Sequence, residues 1–432
     1  MTPDVLERAT LRKVAWKLIP FLCALYILNI LDRSNVGFAK LRMQEDLGMT
    51  KGIFDIGIGL FYIGYLAFEV PSNLLMRKVG ARRWISRIMI SWGIVSCLTM
   101  FVTDAKSFYA IRILLGVAEA GFFPGIILYL SYWFPDRDRA KMTAYFMVAI
   151  AAASVLGNPI SGRIMRDFDE AFGMHGWQWL FLLEGIPSIV LGTIVLFTLT
   201  DQPSEAQWLE PAERDWLVER MSREEAERKQ THGADKLGAL LNGRVWLLIA
   251  IYFTVALTSN AAGAYYPTIL AKHFPEADEA KIGLLSALPY LCAAVAMVLF
   301  GLSSDRTGSR RGHVAAAALI AAGGWALSAV APSPEVALGG LCLAQLGMMS
   351  MLPIFWTLPT GFLSGAAAAG GIALINSVAN IGGALGPWSF GAFGENGPWI
   401  MATSLAVGAG LTIFVRQDPL RHEIADAIPA EA

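Results

Sequence analysis

Apolar runs of about twenty residues, the length needed to cross a bilayer as a helix, recur along nearly the whole chain. We count twelve, at 17–39, 53–76, 84–103, 107–133, 140–164, 177–200, 243–271, 281–303, 313–332, 336–362, 366–393 and 397–415. In lipid each backbone N–H and C=O must be satisfied within the protein, so runs of this length are helices. A membrane barrel would show segments of about ten residues alternating in polarity, and none are present. Composition agrees: 55% of residues are hydrophobic and 16% charged, against about 25% charged in an ordinary soluble domain. The expected fold is therefore all-α, a polytopic membrane protein of twelve transmembrane helices.

Charge distribution sets the expected topology. With both ends cytoplasmic, 24 of the 34 Lys and Arg fall on the cytoplasmic side, as the positive-inside rule requires. A net charge of −1 gives no reason to expect nucleic acid as a partner. The basic start resembles a signal peptide, but Asp32 and Arg33 interrupt its apolar run, so we read residues 1–16 as a short cytoplasmic helix and the rest as an uncleaved span. Cys23, Cys97, Cys292 and Cys342 stand singly and form neither a disulfide framework nor a metal site. Gly80-Ala-Arg82-Arg83 returns as Gly308-Ser-Arg310-Arg311, and Leu156-Gly157 returns as Leu385-Gly386, at offsets of 228 and 229 residues. Two markers in one register indicate a duplicated six-helix unit. The expected organisation is a six-helix bundle at 1–200, a linker at 201–242 with a short amphipathic helix carrying Trp216, Leu217 and Met221, and a second bundle with a short tail at 243–432.

Ionisable residues inside apolar runs are costly, about 2.5–3.5 kcal/mol each at mid-membrane, and normally face a polar cavity. Here they are Asp32, Arg33, Glu69, Arg112, Glu119 and Glu184, all in the first half. Arg112 and Glu119 are seven apart, which places them on one helical face about 10 Å apart along the axis, too far for a simple ion pair. Tyr65 and Glu69, four apart, also share a face. Asp32 with Arg33 can equally be a structural pair, Tyr62 reads as packing, and Glu184 as a structural residue reaching headgroups or a backbone amide. The second half offers neutral groups instead: Asn260, Tyr265, Tyr266, Trp356 between Pro353 and Pro359, and Asn376 with Asn380 on one face. Fixed cations beside carboxylates suit proton-coupled transport of an anion, because an arginine fork binds a carboxylate ligand and a buried carboxylate can exchange a proton. No metal-ligand spacing, phosphate loop or activated nucleophile is present, so no cofactor, ATP coupling or enzyme activity is expected.

Gly301-Leu-Ser-Ser-Asp305-Arg306-Thr-Gly308-Ser-Arg310-Arg311 resembles the cytoplasmic signature loop of the major facilitator superfamily. The resemblance implies that Arg77, Arg82, Arg83, Asp136, Asp305, Arg306 and Arg310 belong to a cytoplasmic gate. Met76 stands where the signature usually has an acid, and Asp136 or Asp138 is expected to replace it. Leu31-Asp32-Arg33-Ser-Asn35, Glu69-Val-Pro71-Ser-Asn73, Arg112 with Glu119, Trp133-Phe-Pro135, Trp356-Thr-Leu-Pro359 and Ile375-Asn376-Ser-Val-Ala-Asn380 resemble the anion:cation symporter family, which carries organic anions such as sugar acids, tartrate, phthalate, nicotinate and hydroxyphenylacetate. The resemblance implies Asp32 and Glu119 as proton sites, Arg112 as the partner of the substrate carboxylate, Arg33 as a salt-bridge partner, and Asn29, Tyr65, Trp356, Asn376 and Asn380 lining the site. Ile30 and Ile150 replace a tyrosine and a glutamine of the sugar-acid branch, which points to a less hydroxylated or aromatic carboxylate.

The expected function is proton-coupled uptake of a small organic carboxylate by alternating access, by a monomer in a bacterial inner membrane. Its partners are the anion, protons and lipid. An exchanger or uniporter without proton coupling, and a membrane sensor on a carrier fold, are the alternatives.

Overall fold

The computed structural model describes residues 3–231, 243–359 and 365–415. Its helices are α1 (Pro3–Asp46), α2 (Lys51–Val79), α3 (Ala81–Leu98), α4 (Ala105–Glu119), α5 (Phe122–Trp133), α6 (Asp136–Asp167), α7 (Gly176–Thr198) and α8 (Pro211–Thr231), followed by α9 (Gly243–His273), α10 (Glu279–Thr307), α11 (Arg310–Ala329), α12 (Pro334–Phe355), α13 (Gly365–Ala379), α14 (Ile381–Ala392) and α15 (Gly397–Leu411). Among the described residues, eleven helical segments are long and apolar enough to cross a membrane. The remaining expected span, the eleventh at 366–393, is two shorter helices, α13 and α14, that meet at Asn380. The expected separate N-terminal helix is absent, because α1 runs unbroken from Pro3 through the first span to Asp46.

Lipid is the solvent for the outer faces. On α10, Leu291, Val295, Val298, Leu299 and Leu302 are all exposed, at the spacing of a single helical stripe. Inside, small residues let backbones touch, which is how helices associate where lipid is as apolar as leucine. A Cβ on Gly116 of α4 would lie 2.0 Å from the Phe61 carbonyl of α2, and one on Gly324 of α11 would lie 2.2 Å from the Ala344 nitrogen of α12. The two bundles repeat one packing plan. α2 against α4 and α3 against α7 in the first correspond to α10 against α12 and α11 against α15 in the second.

The bundles meet through three helix pairs, α1 with α9, α2 with α14, and α6 with α10. A Cβ on Gly37 would lie 2.9 Å from the Ala264 carbonyl, and Gly162 and Gly283 face one another where α6 crosses α10. Asn158 donates to the Ser286 carbonyl at 3.0 Å nearby. These contacts all lie at the end of the bundles away from the basic turns at 77–83 and 306–311. The α8 helix docks on the first bundle at the opposite end. Leu217 is fully buried, Trp216 and Met221 pack on the core of that bundle, and Lys13 pairs with Glu213 at 2.8 Å.

Gly116→Ala should lower the stability of the purified protein by about 1–3 kcal/mol, since a methyl forced against backbone is overpacking. A thermal-unfolding series in one detergent checks this, with Gly301→Ala, where a Cβ meets open space, as the control that should not move.

Candidate functional site

The break between α4 and α5 builds the site. α4 ends at Glu119, and Gly121 takes φ +86°, a left-handed conformation that favours glycine. A Cβ there would lie 2.4 Å from Ser72 Oγ of α2. The chain thus turns within the bundle, with Glu119 at the end of α4 facing α1. Glu119 is fully buried, forms an ion pair with Arg33 and accepts from Asn29 Nδ2 at 2.8 Å. The Arg33 guanidinium also lies over the rings of Tyr65, at 4.9 Å, and Phe61, at 5.6 Å. Tyr65, which shares a face with Glu69, is thus a platform for a cation. Among the described residues no hydrogen bond joins it to Glu69.

Asp32, one residue before Arg33, points elsewhere on α1. It is buried, accepts from Ser96 of α3 and from Asn35 Nδ2 at 3.2 Å. One oxygen of each acid, Asp32 Oδ2 and Glu119 Oε2, is buried with no hydrogen-bond partner. Arg112 is buried too. Its Nε donates to the Gly57 carbonyl at 3.4 Å and its guanidinium faces the Phe61 ring at 4.9 Å. Among the described residues it forms no ion pair. The two arginines therefore differ: Arg33 is neutralised by a carboxylate and Arg112 is held by a carbonyl and a ring.

Glu184 is buried inside the bundle, and its partner is a side-chain hydroxyl and not the expected headgroup or backbone amide: Ser161 Oγ donates to it at 2.6 Å. Tyr62 is likewise more than packing, since its hydroxyl donates to Asn260 of α9 and links the bundles. On the second-bundle side, Trp356 follows the end of α12 and packs edge-on to Tyr252 at 4.9 Å. Asn376 and Asn380 are half-buried, with the Asn380 nitrogen bonded to the Asn376 carbonyl. Contacts join Asn29, Arg33, Tyr65 and Glu119 into one cluster. Trp356, Asn376 and Asn380 lie on the other bundle, in no direct contact with that cluster among the described residues.

At the basic end, Arg77, Arg83 and Arg306 are exposed. Arg82 meets an acid that the sequence reading left in the linker: Asp201 Oδ1 accepts from the Arg82 backbone nitrogen at 2.7 Å, and Oδ2 is 3.9 Å from Arg82 Nε. Gly80, at φ +96°, brings the turn against the same carboxylate. Asp201 thus brings an acid to this turn in addition to the expected Asp136 and Asp138. The side chains of Asp136 and Asp305 lie outside the described residues, and Arg310 is half-buried.

Comparison with known proteins decides the family. The model of the Major Facilitator Superfamily matches residues 22–387 and 248–428. The chain belongs to the major facilitator superfamily. It is 47% identical to a putative tartrate transporter of Agrobacterium vitis over 98% of this chain and 95% of that one. It is 44% identical to the putative metabolite transport protein NicT of Pseudomonas putida, over 87% and 86% of the two chains. Among solved structures, a D-xylose-proton symporter superposes with a TM-score of 0.75 at 15% identity, covering 94% of this chain and 98% of that one, which shows the shared fold. This superfamily member is an integral membrane transporter of small organic substrates, not an enzyme.

The two arginines should respond oppositely to removal. Arg33→Met strands Glu119 in the bundle and should cost about 3–5 kcal/mol of stability. Arg112→Met removes a buried cation with no counter-ion and should leave stability equal or higher. Thermal unfolding of both variants in the absence of substrate reads the difference in sign.

Proposed function

We propose that this transporter is a symporter that couples uptake of a small organic carboxylate to protons. The observation that carries the reading is Arg112, a buried guanidinium that among the described residues forms no ion pair, together with two buried carboxyl groups, Asp32 and Glu119, that each keep an oxygen without a partner there. A substrate carboxylate binding Arg112 supplies the missing charge through a paired set of N–H donors. Its added negative charge raises the cost of keeping Asp32 and Glu119 ionised, so proton and anion bind in concert. In this reading Asn29 and Tyr65 hold Glu119 and Arg33 in place. Trp356, Asn376 and Asn380 close the site from the second bundle when the two rock together, and the basic turns with Arg77, Arg82, Arg83, Asp136, Asp305, Arg306 and Arg310 form the cytoplasmic gate.

The relatives named as tartrate and metabolite transporters support an organic substrate with carboxylate character. Ile30 and Ile150 support one with fewer hydroxyls than a sugar acid, because an apolar side chain offers no hydrogen bond to a polyol. The skewed placement of Lys and Arg supports both termini in the cytoplasm of a bacterial inner membrane. We divide the chain into bundles at 1–200 and 243–432 joined by a linker at 201–242, acting as a monomer. The Arg33–Glu119 ion pair also favours a second reading, in which Glu119 is a strut and the protein exchanges or equilibrates anions without protons.

Proteoliposome uptake over a panel of hydroxylated and aromatic carboxylates separates them. In symport, an inward proton gradient drives accumulation of one anion, and Glu119→Gln abolishes accumulation while exchange survives. Uptake that equilibrates and ignores the gradient in both proteins overturns the coupling role of Glu119. Arg112→Lys should raise KM about 10- to 150-fold, the range for losing a hydrogen bond to a charged group, with stability little changed.

A further inference from the structure

A second buried ion pair lies on the other side of Gly57, whose carbonyl holds Arg112, toward the end of the bundles opposite the basic turns. Lys40 Nζ is 2.7 Å from Asp55 Oδ1, and the two side chains are 3% and 5% exposed. Both belong to the first bundle, Lys40 on the last turns of α1 and Asp55 on the first turns of α2. The second bundle covers them. Tyr265 of α9 donates its hydroxyl to the same Asp55 oxygen, and its ring lies 4.0 Å from the Lys40 ammonium. On α14, a Cβ at Gly391 would fall 1.8 Å from Asp55 Oδ2 and 2.5 Å from the Tyr265 hydroxyl. One bundle thus supplies an ion pair and the other a fitted seat: a hydroxyl, an aromatic face and bare backbone.

We propose that Lys40, Asp55 and Tyr265 form the latch that closes the substrate pathway at the end opposite the basic turns, and that it parts in every cycle. The proposal rests on the alternating-access reading above. A buried ion pair adds little net stability, because desolvation offsets the attraction between the charges. When the bundles separate at this end, water reaches both groups and hydrates them. The pair is satisfied when seated and when open, and poorly satisfied only when the seat is misaligned, which is what a two-state closure needs. The rim pairs Arg42–Glu279, at 2.6 Å, and Arg166–Asp278, at 3.1 Å, join the bundles at the same end but are more exposed, where ion pairs contribute little. The Lys281 backbone N–H, with Arg166 beside it, holds the Asp278 carboxyl below the usual carboxylate range.

The test is a distance measurement on the whole protein in nanodiscs, without substrate or gradient. With the four native cysteines replaced by serine, spin labels at Glu45→Cys and Glu276→Cys, exposed positions on the two bundles at this end, report opening by pulsed electron resonance. Tyr265→Phe, which removes one hydroxyl and endangers the fold least, should raise the ratio of long to short distances about tenfold or more, as for a lost hydrogen bond to a charged acceptor. Asp55→Asn should shift it the same way. The apolar pair Lys40→Met with Asp55→Leu should do the reverse and hold the labels at the short distance, because exposing that patch to water is unfavourable. Distances unchanged by both Tyr265→Phe and Asp55→Asn overturn the latch, even in a protein that transports normally. Distances that move as stated support it even if no carboxylate is taken up, in which case the transport reading is what fails.

Discussion

Burying charge in a low-dielectric bundle is the constraint on which this structure depends. An ionised side chain inside a membrane protein must find a partner, face water or perform a function that offsets its cost. The described residues show two of these solutions within one bundle. Arg33 and Glu119 neutralise each other, with Asn29 donating to Glu119 and the rings of Tyr65 and Phe61 beneath the guanidinium. Arg112 has only a distant carbonyl and a ring. The broken fourth span makes this possible, because the left-handed Gly121 ends α4 at Glu119 and lets that carboxylate face α1 instead of continuing along a straight helix.

The same constraint orders the two ends of the molecule. At the end carrying Lys40 and Asp55, three helix pairs close on glycines and the ion pair is sealed by the opposite bundle. At the other end the basic turns present Arg77, Arg83 and Arg306 to solvent. The inter-bundle glycine contacts are concentrated at one end, so the bundles are closed on each other there while the basic turns are exposed at the other. Tyr62, which donates to Asn260 across the bundles, directly follows Phe61, the ring that faces Arg112. A displacement at the seat is thus passed to the substrate level through α2, which carries Asp55, Tyr62 and Tyr65 on one rigid rod.

Much of this was legible in the sequence because hydropathy and duplication are one-dimensional signals. Run lengths identified the spans, and two markers in one register identified the repeat. What remained hidden depends on helix crossings. Spacing along α4 correctly kept Arg112 and Glu119 apart, but it could not show that Arg33, 86 residues earlier, crosses Glu119. Asp201 looked like the start of a linker, and only the turn at Gly80 brings it to Arg82. Lys40 lies just beyond the 17–39 run and Asp55 just inside the 53–76 run, where hydropathy alone marks no more than helix ends. α1 continues to Asp46, however, so Lys40 lies inside the bundle. An opposite-charge pair flanking a short inter-helix turn was the available signal.

The division of labour between the two arginines follows from these contacts. An arginine already paired to a buried carboxylate can bind a ligand anion only by giving up that partner, so the ligand must repay the loss of an ion pair before it gains affinity. Arg112 carries no such debt. A carboxylate that reaches it satisfies a group that was poorly satisfied before, which makes binding favourable for the ligand and stabilising for the protein at once. Arg33 fixes Glu119 at the end of α4, and under the proposed symport, exchange of Glu119 between Arg33 and a proton is the step by which occupancy of Arg112 would be felt on α1. α1 carries Asp32, Lys40 and Arg33, the partner of Glu119, so one helix runs from the ion-paired cluster at Glu119 to the Lys40–Asp55 pair.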